Sequence, residues 1–358
     1  MSGRLTETLC ELVRIPSESG SEEAFLVHAG TLLSDEFRAV CLRDSFGNLV
    51  ARIPGKQHSR EVPLLIGLHA DTVAPGTGIR PVIEGDTIRS DGTTVLGADD
   101  KAGLAELIEA LRRAERFPPL EVVLTREEER GMLGSQHLDY SLLTARQGYV
   151  LDMDSVDAVV VGGPTKINLD VEVTGRAAHA GMEPEKGISA IKAAAMAIAG
   201  LPDGRIDHET TCNVGTIRGG ENRNSVPERV SLQVEVRSLD HDKSVVLAQR
   251  MRAAFEDAAS SMGATSQVTV TTAYRAITIP EDSEVVQVAT VAIRETGLSP
   301  RVLTIVGGTD ASAYNQHGIS TAVLGVGVQK EHTRNEWISA GDMERAVEIL
   351  LRILRRFA

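Results

Sequence analysis

Five short stretches of this 358-residue chain carry carboxylates and imidazoles in spacings that suit metal chemistry. His69 and Asp71 stand two apart in HADT (69–72), and Asp99, Asp100 and Lys101 are consecutive in GADDKAG (97–103). Glu127, Glu128 and Glu129 form a run in TREEERG (125–131). Asp152 and Asp154 follow Leu151, and Glu331-His332 opens EHTRNEW (331–337). Each group alone has a bland use: a satisfied loop pair, a solvated acidic surface, or a helix N-terminus where anions are favoured. Together they pose a physical problem, because carboxylates held within a few ångströms repel one another and lose hydration. A divalent cation reverses that penalty. Two zinc ions about 3.5–4 Å apart, sharing one carboxylate, accommodate five such ligands and leave positions for water and substrate. Imidazole with carboxylate oxygen suits zinc, with cobalt or manganese as substitutes.

The elements that must position these groups are readable from hydrophobic pattern. Leu64-Leu65-Ile66-Gly67-Leu68, Val122-Val123-Leu124 and Ala322-Val323-Leu324 are continuous apolar runs, which predict strands buried on both faces of a parallel sheet. Leu104, Leu107, Ile108 and Leu111 fall on one helix face, as do Met343, Val347, Leu350, Leu351 and Leu354, with Ser339 and Asp342 resembling a capping box. Strand and helix alternate, so the fold class is α/β with a mostly parallel central sheet flanked by helices. The chemical groups follow the ends of its strands, where open parallel sheets bind ligands.

The middle of the chain reads differently. Ile167, Leu169, Val171 and Val173 alternate with polar residues, as do Val230, Leu232, Val234 and Val236. A period of two predicts an antiparallel sheet with one dry face. Helices over 188–199 and 245–262 and strands over 210–217 and 268–272 complete a βαββαβ, ferredoxin-like order. Residues 165–276 are thus expected to form an α+β domain inserted into a first domain made of 1–164 and 277–358.

Composition narrows the partners. With 37 basic and 50 acidic side chains, the formal charge is 37 − 50 = −13, which disfavours nucleic acid and anionic membranes. The N-terminal MSGRLTETLCELVRIPS places acidic residues where an export signal needs an unbroken apolar stretch, and the run 193–200 is too short to span a bilayer. Cys10, Cys41 and Cys212 are odd in number and lack metal-like spacing, so the expectation is idle thiols in a reducing cytoplasm.

The motifs HADT, GADDKAG, TREEERG and EHTRNEW, in this order, resemble those of the co-catalytic zinc peptidase and aminoacylase family, and DGTTVLGADDKAG (91–103) is most similar to its peptidase T-like tripeptidases. The resemblance implies two zinc ions, with His69, Asp99, Glu129, Asp152 and His332 as ligands. It also implies Asp99 as the bridge, followed by a cis peptide bond, and Asp154 as the competitor of Asp152. Asp71 would orient the His69 imidazole, and Glu128 would be the general base that activates water. The inserted domain would be a lid and dimerisation domain, giving a homodimer in which His179, in GRAAHAG (175–181), reaches the neighbouring subunit's site and stabilises the oxyanion. Asn224 and Arg237 are candidates to contact a substrate carboxylate, which Arg bonds bidentately, although Arg237 also fits a solvent-facing strand position, and GGTD (307–310) would line the site or form a tight turn. The implied activity is hydrolysis of small peptides, with N-acyl amino acid deacylase or carboxypeptidase activity at the same site as the alternative. A phosphate-binding protein is disfavoured by the lack of GxGxxG after a strand and of GxxxxGK[ST]. A non-catalytic metal-binding descendant would not require Asp71 and Glu128.

Overall fold

A computed structural model describes residues 3–358 of the chain. They form two compact units, residues 3–162 with Thr278–Ala358, and Gly163–Ile277.

The first unit is built on a mixed sheet with a parallel centre. Four neighbouring strands, Leu120–Thr125, Leu64–His69, Gln147–Met153 and Ser320–Gly325, run parallel in that order. Leu49–Ile53 and Ala158–Gly163 flank them as antiparallel neighbours. Every residue of Leu64–His69 and Leu120–Thr125 is buried, as continuous apolar runs require when helices cover both faces. Two glycines, one on a strand and one on a helix, show the two faces. A Cβ on Gly67 would stand 2.9 Å from Tyr314 of the helix Ala311–Gln316. Leu68, pointing the opposite way, lies where a Cβ on Gly103 of the helix Ala98–Arg113 would fall at 2.8 Å. Both glycines mark places where helix and sheet approach too closely for a larger side chain. The polar intruder Glu121 is buried but satisfied, its carboxylate accepting the backbone N–H groups of Thr144 and Ala145 and the Thr144 hydroxyl.

Leu104, Leu107, Ile108 and Leu111 all lie in the core. The last helix runs Ala340–Phe357, with the Ser339 hydroxyl accepting the Asp342 N–H at 3.1 Å as the capping pattern predicts. A small four-stranded sheet was not legible in the pattern: Pro81–Glu84, Thr87–Ser90, Trp337–Ser339 and Val328–Gln329. Its strands are only two to four residues long, too short for period-two alternation to register. Val328 pairs with Ile338 and Gln329 with Trp337, so the loop that carries His332 is closed at its base.

The second unit is an antiparallel sheet with the order Gly204–Arg205, Thr210–Gly219, Arg229–Ser238, Thr165–Thr174, Thr265–Tyr274. The helices Ala190–Gly200 and His241–Ser261 pack with the buried, alternating residues Ile167, Leu169, Val171, Val173, Leu232, Val234 and Val236 into one core. The βαββαβ order is the expected one, with the two-residue strand Gly204–Arg205 added at an edge. The first helix starts two residues later than predicted because Ser189 caps it, accepting the Lys192 N–H.

Candidate metal centre

The parallel strands end side by side, and the acidic and imidazole groups issue from those ends. His69 is the last residue of its strand, opposite Thr125 in the next, and Glu128 and Glu129 follow within four residues of Thr125. Asp152 lies near the end of Gln147–Met153. Asp99 sits in the first turn of Ala98–Arg113, where its own φ/ψ of −80°/105° is non-helical and the Asp99–Asp100 peptide is cis, as the resemblance implies. His332 comes from the loop above the small sheet, in the left-handed region at φ 61°.

Two donor sets result: His69, Asp99 and Asp152, and Asp99, Glu129 and His332. His69 Nε2 is 3.0 Å from Asp99 Oδ1 and 3.8 Å from Asp152 Oδ1. His332 Nε2 is 3.2 Å from Asp99 Oδ2 and 2.9 Å from Glu129 Oε1. Around a tetrahedral ion with bonds of about 2.0–2.1 Å, ligand atoms stand about 3.3–3.4 Å apart, inside the observed spread. Asp99 offers one oxygen to each set.

Burial and crowding shift the titration of these groups. Burial, reinforced by neighbouring carboxylates, pushes the carboxyls of Asp152 and Glu128 well above the usual range. Burial also raises Asp100, whose Oδ1 has no hydrogen-bond partner. Asp99 goes the other way: burial pushes it up, but hydrogen bonds from His332 and His69 outweigh that and hold it below the usual carboxylate range. Hydrogen bonds to Asp99 and Glu129 push His332 up to about 11, and in His69 the carboxylates of Asp71 and Asp99 overcome a large opposing effect of burial. The carboxylates around them thus shift both imidazoles toward the charged form.

Supporting contacts orient this set. His69 Nδ1 donates to the Asp71 carbonyl at 2.9 Å, which leaves Nε2 to face Asp99 and Asp152. The Asp71 carboxylate is 3.5 Å from the same nitrogen, and its shorter bonds lie elsewhere. It accepts the N–H groups of Glu128 at 2.9 Å and Glu129 at 3.2 Å and the Ser19 hydroxyl at 2.7 Å. Asp71 therefore holds the Glu128-Glu129 backbone as well as the imidazole. Glu127, left-handed at φ 51°, turns away and pairs with Arg130. Glu128 belongs to neither donor set but shares with His69, Asp99, Asp152 and His332 the lining of a cavity of about 500 Å³. Asp154 also lines this cavity, exposed and outside both sets. Gly307, Gly308 and Thr309 line it too, while Asp310 is buried and accepts the hydroxyls of Thr125 and Ser135 at 2.5 Å each.

His179, Asn224 and Arg237 lie in the second unit. The Ala180 N–H donates to the Asn224 carbonyl at 2.9 Å, and His179 bridges Ser225, so GRAAHAG and NSVP run side by side. His179 is exposed, and its Nδ1 accepts the N–H groups of Gly181 and Met182 at 3.2 and 3.1 Å. That fixes the ring proton on Nε2. Arg237 is half-buried, its guanidinium bonded to Glu235 at 3.0 and 3.3 Å. Sequence reasoning assigned no role to Ser19, to Glu22, which is buried and accepts Arg126 at 2.8 Å, or to Glu336.

Comparison with known proteins agrees with this architecture. Residues 165–262 match the peptidase dimerisation domain and residues 48–186 match peptidase family M28. A peptidase T of Clostridium perfringens is 30% identical, the alignment covering 78% of this chain and 70% of that protein. The solved aminopeptidase PepT of Bacillus cereus is 37% identical with a TM-score of 0.92, covering 99% of this chain and 98% of that one. The chain belongs to the peptidase T-like M20 family. A tripeptidase of Staphylococcus aureus, 34% identical over 99% of this chain and 98% of its own with a TM-score of 0.93, places it alike. As a peptidase T-like M20 member it is an enzyme, a metallopeptidase. Among the described residues, no helix is long and apolar enough to cross a membrane, and all three cysteines are free.

Proposed function

We propose that this M20 enzyme is a cytoplasmic aminopeptidase of tripeptides and similar small peptides. Its centre would hold two divalent ions, with His69 and Asp152 on one, Glu129 and His332 on the other, and Asp99 across both. The observation that carries the reading is Asp99, whose Oδ1 faces His69 and whose Oδ2 faces His332. Two imidazoles and three carboxylates favour zinc, with cobalt or manganese able to substitute. The bound ions supply Lewis acidity toward the scissile carbonyl and acidify water. Glu128 then accepts a proton from the attacking water and delivers it to the leaving amine. Asp71 keeps Glu128 and Glu129 in register by gripping their amides. Purified protein with two ions per chain that cleaves tripeptides, assayed beside N-acetyl and N-succinyl amino acids, is the expected result. Turnover of the N-acyl substrates alone overturns it.

Ion binding must displace protons. With His332 raised to about 11 in the metal-free enzyme, its imidazole is charged at neutral pH and competes with the ion. Affinity therefore rises with pH through the neutral range, and loading releases protons. Zinc calorimetry in buffers of different ionisation enthalpy should show release of at least one proton per chain; no dependence on buffer contradicts the arrangement.

We further propose that residues 165–276 act as the lid and dimerisation domain between segments 1–164 and 277–358, and that two copies associate through it. The match to a peptidase dimerisation domain and the exposed Ile191 and Met196 on one helix support this. His179 would offer its Nε2–H to the developing oxyanion in the partner's site, with Asn224 and Arg237 beside the substrate carboxylate. Mixing His179→Ala subunits with Glu128→Ala subunits is expected to restore part of the activity that each lacks. No recovery in a mixture shown to form heterodimers removes the shared site.

A further inference from the structure

Glu336 lies in the EHTRNEW motif, 2% exposed, four residues beyond His332. Its Oε2 accepts the N–H groups of Leu96 at 2.8 Å and Gly97 at 2.9 Å, and its Oε1 those of Ala98 at 2.7 Å and Asp99 at 3.1 Å. Four consecutive amides converge on one carboxylate. Gly97, left-handed at φ 68°, bends the chain so that they can, forming an anion nest at the start of the helix Ala98–Arg113. Gly97 has no side chain with which to cap that helix, so the capping anion comes from a distant loop.

We infer that Glu336 is the positioning residue that sets Asp99 between the two donor sets, a role that rests on the two-ion reading above. The last amide it grips is that of Asp99, the residue common to both sets among the described residues. The Glu336 N–H returns to the Thr333 carbonyl at 3.1 Å, so the clamp and His332 share one tight turn. Glu336 thereby fixes the bridging carboxylate relative to His332, and it does so through backbone, since it is not among the groups lining the cavity of the ligands.

The test is Glu336→Gln, which keeps the shape but turns an N–H donor toward amide donors. Glu106→Gln is the control: Glu106 is also fully buried on this helix, and neither of its oxygens has a partner. Chelator competition should show Glu336→Gln binding both zinc ions about 10- to 100-fold more weakly. The visible spectrum of its cobalt form should change, and Glu336→Asp, which retains the charge, should recover part of the affinity. Glu106→Gln should leave zinc affinity and the cobalt spectrum unchanged. Zinc affinities within twofold of wild type and an unchanged cobalt spectrum in Glu336→Gln overturn the inference, whatever happens to its melting temperature. So does failure of both Glu336 variants to fold, which assigns the residue to stability alone. Wild-type protein that binds fewer than two ions would instead refute the two-ion reading, so the two failures are separable.

Discussion

Glu128→Ala is expected to bind metal at wild-type stoichiometry and to lose about 10²- to 10⁴-fold in kcat, the range that a positioned proton-transfer group supplies. Retention of metal follows from geometry, because Glu128 belongs to neither donor set while its neighbour Glu129 lies 2.9 Å from His332. Loss of turnover follows from its place on the cavity wall with His69, Asp99 and Asp152, its backbone held by the buried Asp71. Burial first, and Asp152 next, raise the Glu128 carboxyl, which disposes it to hold a proton rather than to remain a spectator anion. Glu128→Gln, which keeps the shape without the basicity, should match the alanine variant in kcat with little change in KM. Steady-state kinetics beside metal analysis decide the matter. Full activity removes Glu128 from the mechanism, and loss of an ion would make it a ligand.

Much of this centre was legible because parallel strands announce themselves. Runs such as 64–68 and 122–124 are apolar without alternation, and the groups that follow them must emerge at one sheet edge. The five ligand candidates and Glu128 meet there. Asp152 and Asp154 were harder to separate, since residues two apart share a strand face. Here the strand ends at Met153, so Asp152 stays with the sheet while Asp154 leaves it. Arg237 and Glu235 show the same limit: pattern puts both on one face but does not reveal that they bond to each other. What periodicity could not show are bonds between distant segments. Asp71 to the Glu128 amide, Glu22 to Arg126, Asp310 to Thr125 and Glu336 to the Asp99 loop are polar side chains buried by tertiary contact. Nothing in their local sequence distinguishes them from solvated acids. Glu121, between Leu120 and Val122-Val123-Leu124, is the exception: a carboxylate inside an apolar run announces its burial, and burial demands a partner.

The sharing of one carboxylate makes a prediction that separates this centre from two independent sites. In Asp99→Ala both donor sets shrink, to His69 with Asp152 and to Glu129 with His332. Two donors hold a divalent ion poorly, so both ions should be lost together and peptide hydrolysis should fall to background. His332→Ala is the informative contrast, since it cuts one set to Asp99 with Glu129 and leaves His69, Asp99 and Asp152 intact. That variant should keep one ion per chain. Asp99 is also the anion against which both imidazoles lean, at 3.0 and 3.2 Å, so its removal leaves His69 and His332 without their closest shared partner. Equilibrium dialysis followed by elemental analysis reads both variants directly. Retention of one tightly bound ion by Asp99→Ala would show that one donor set works without Asp99, and the bridge would then have to be sought in another residue.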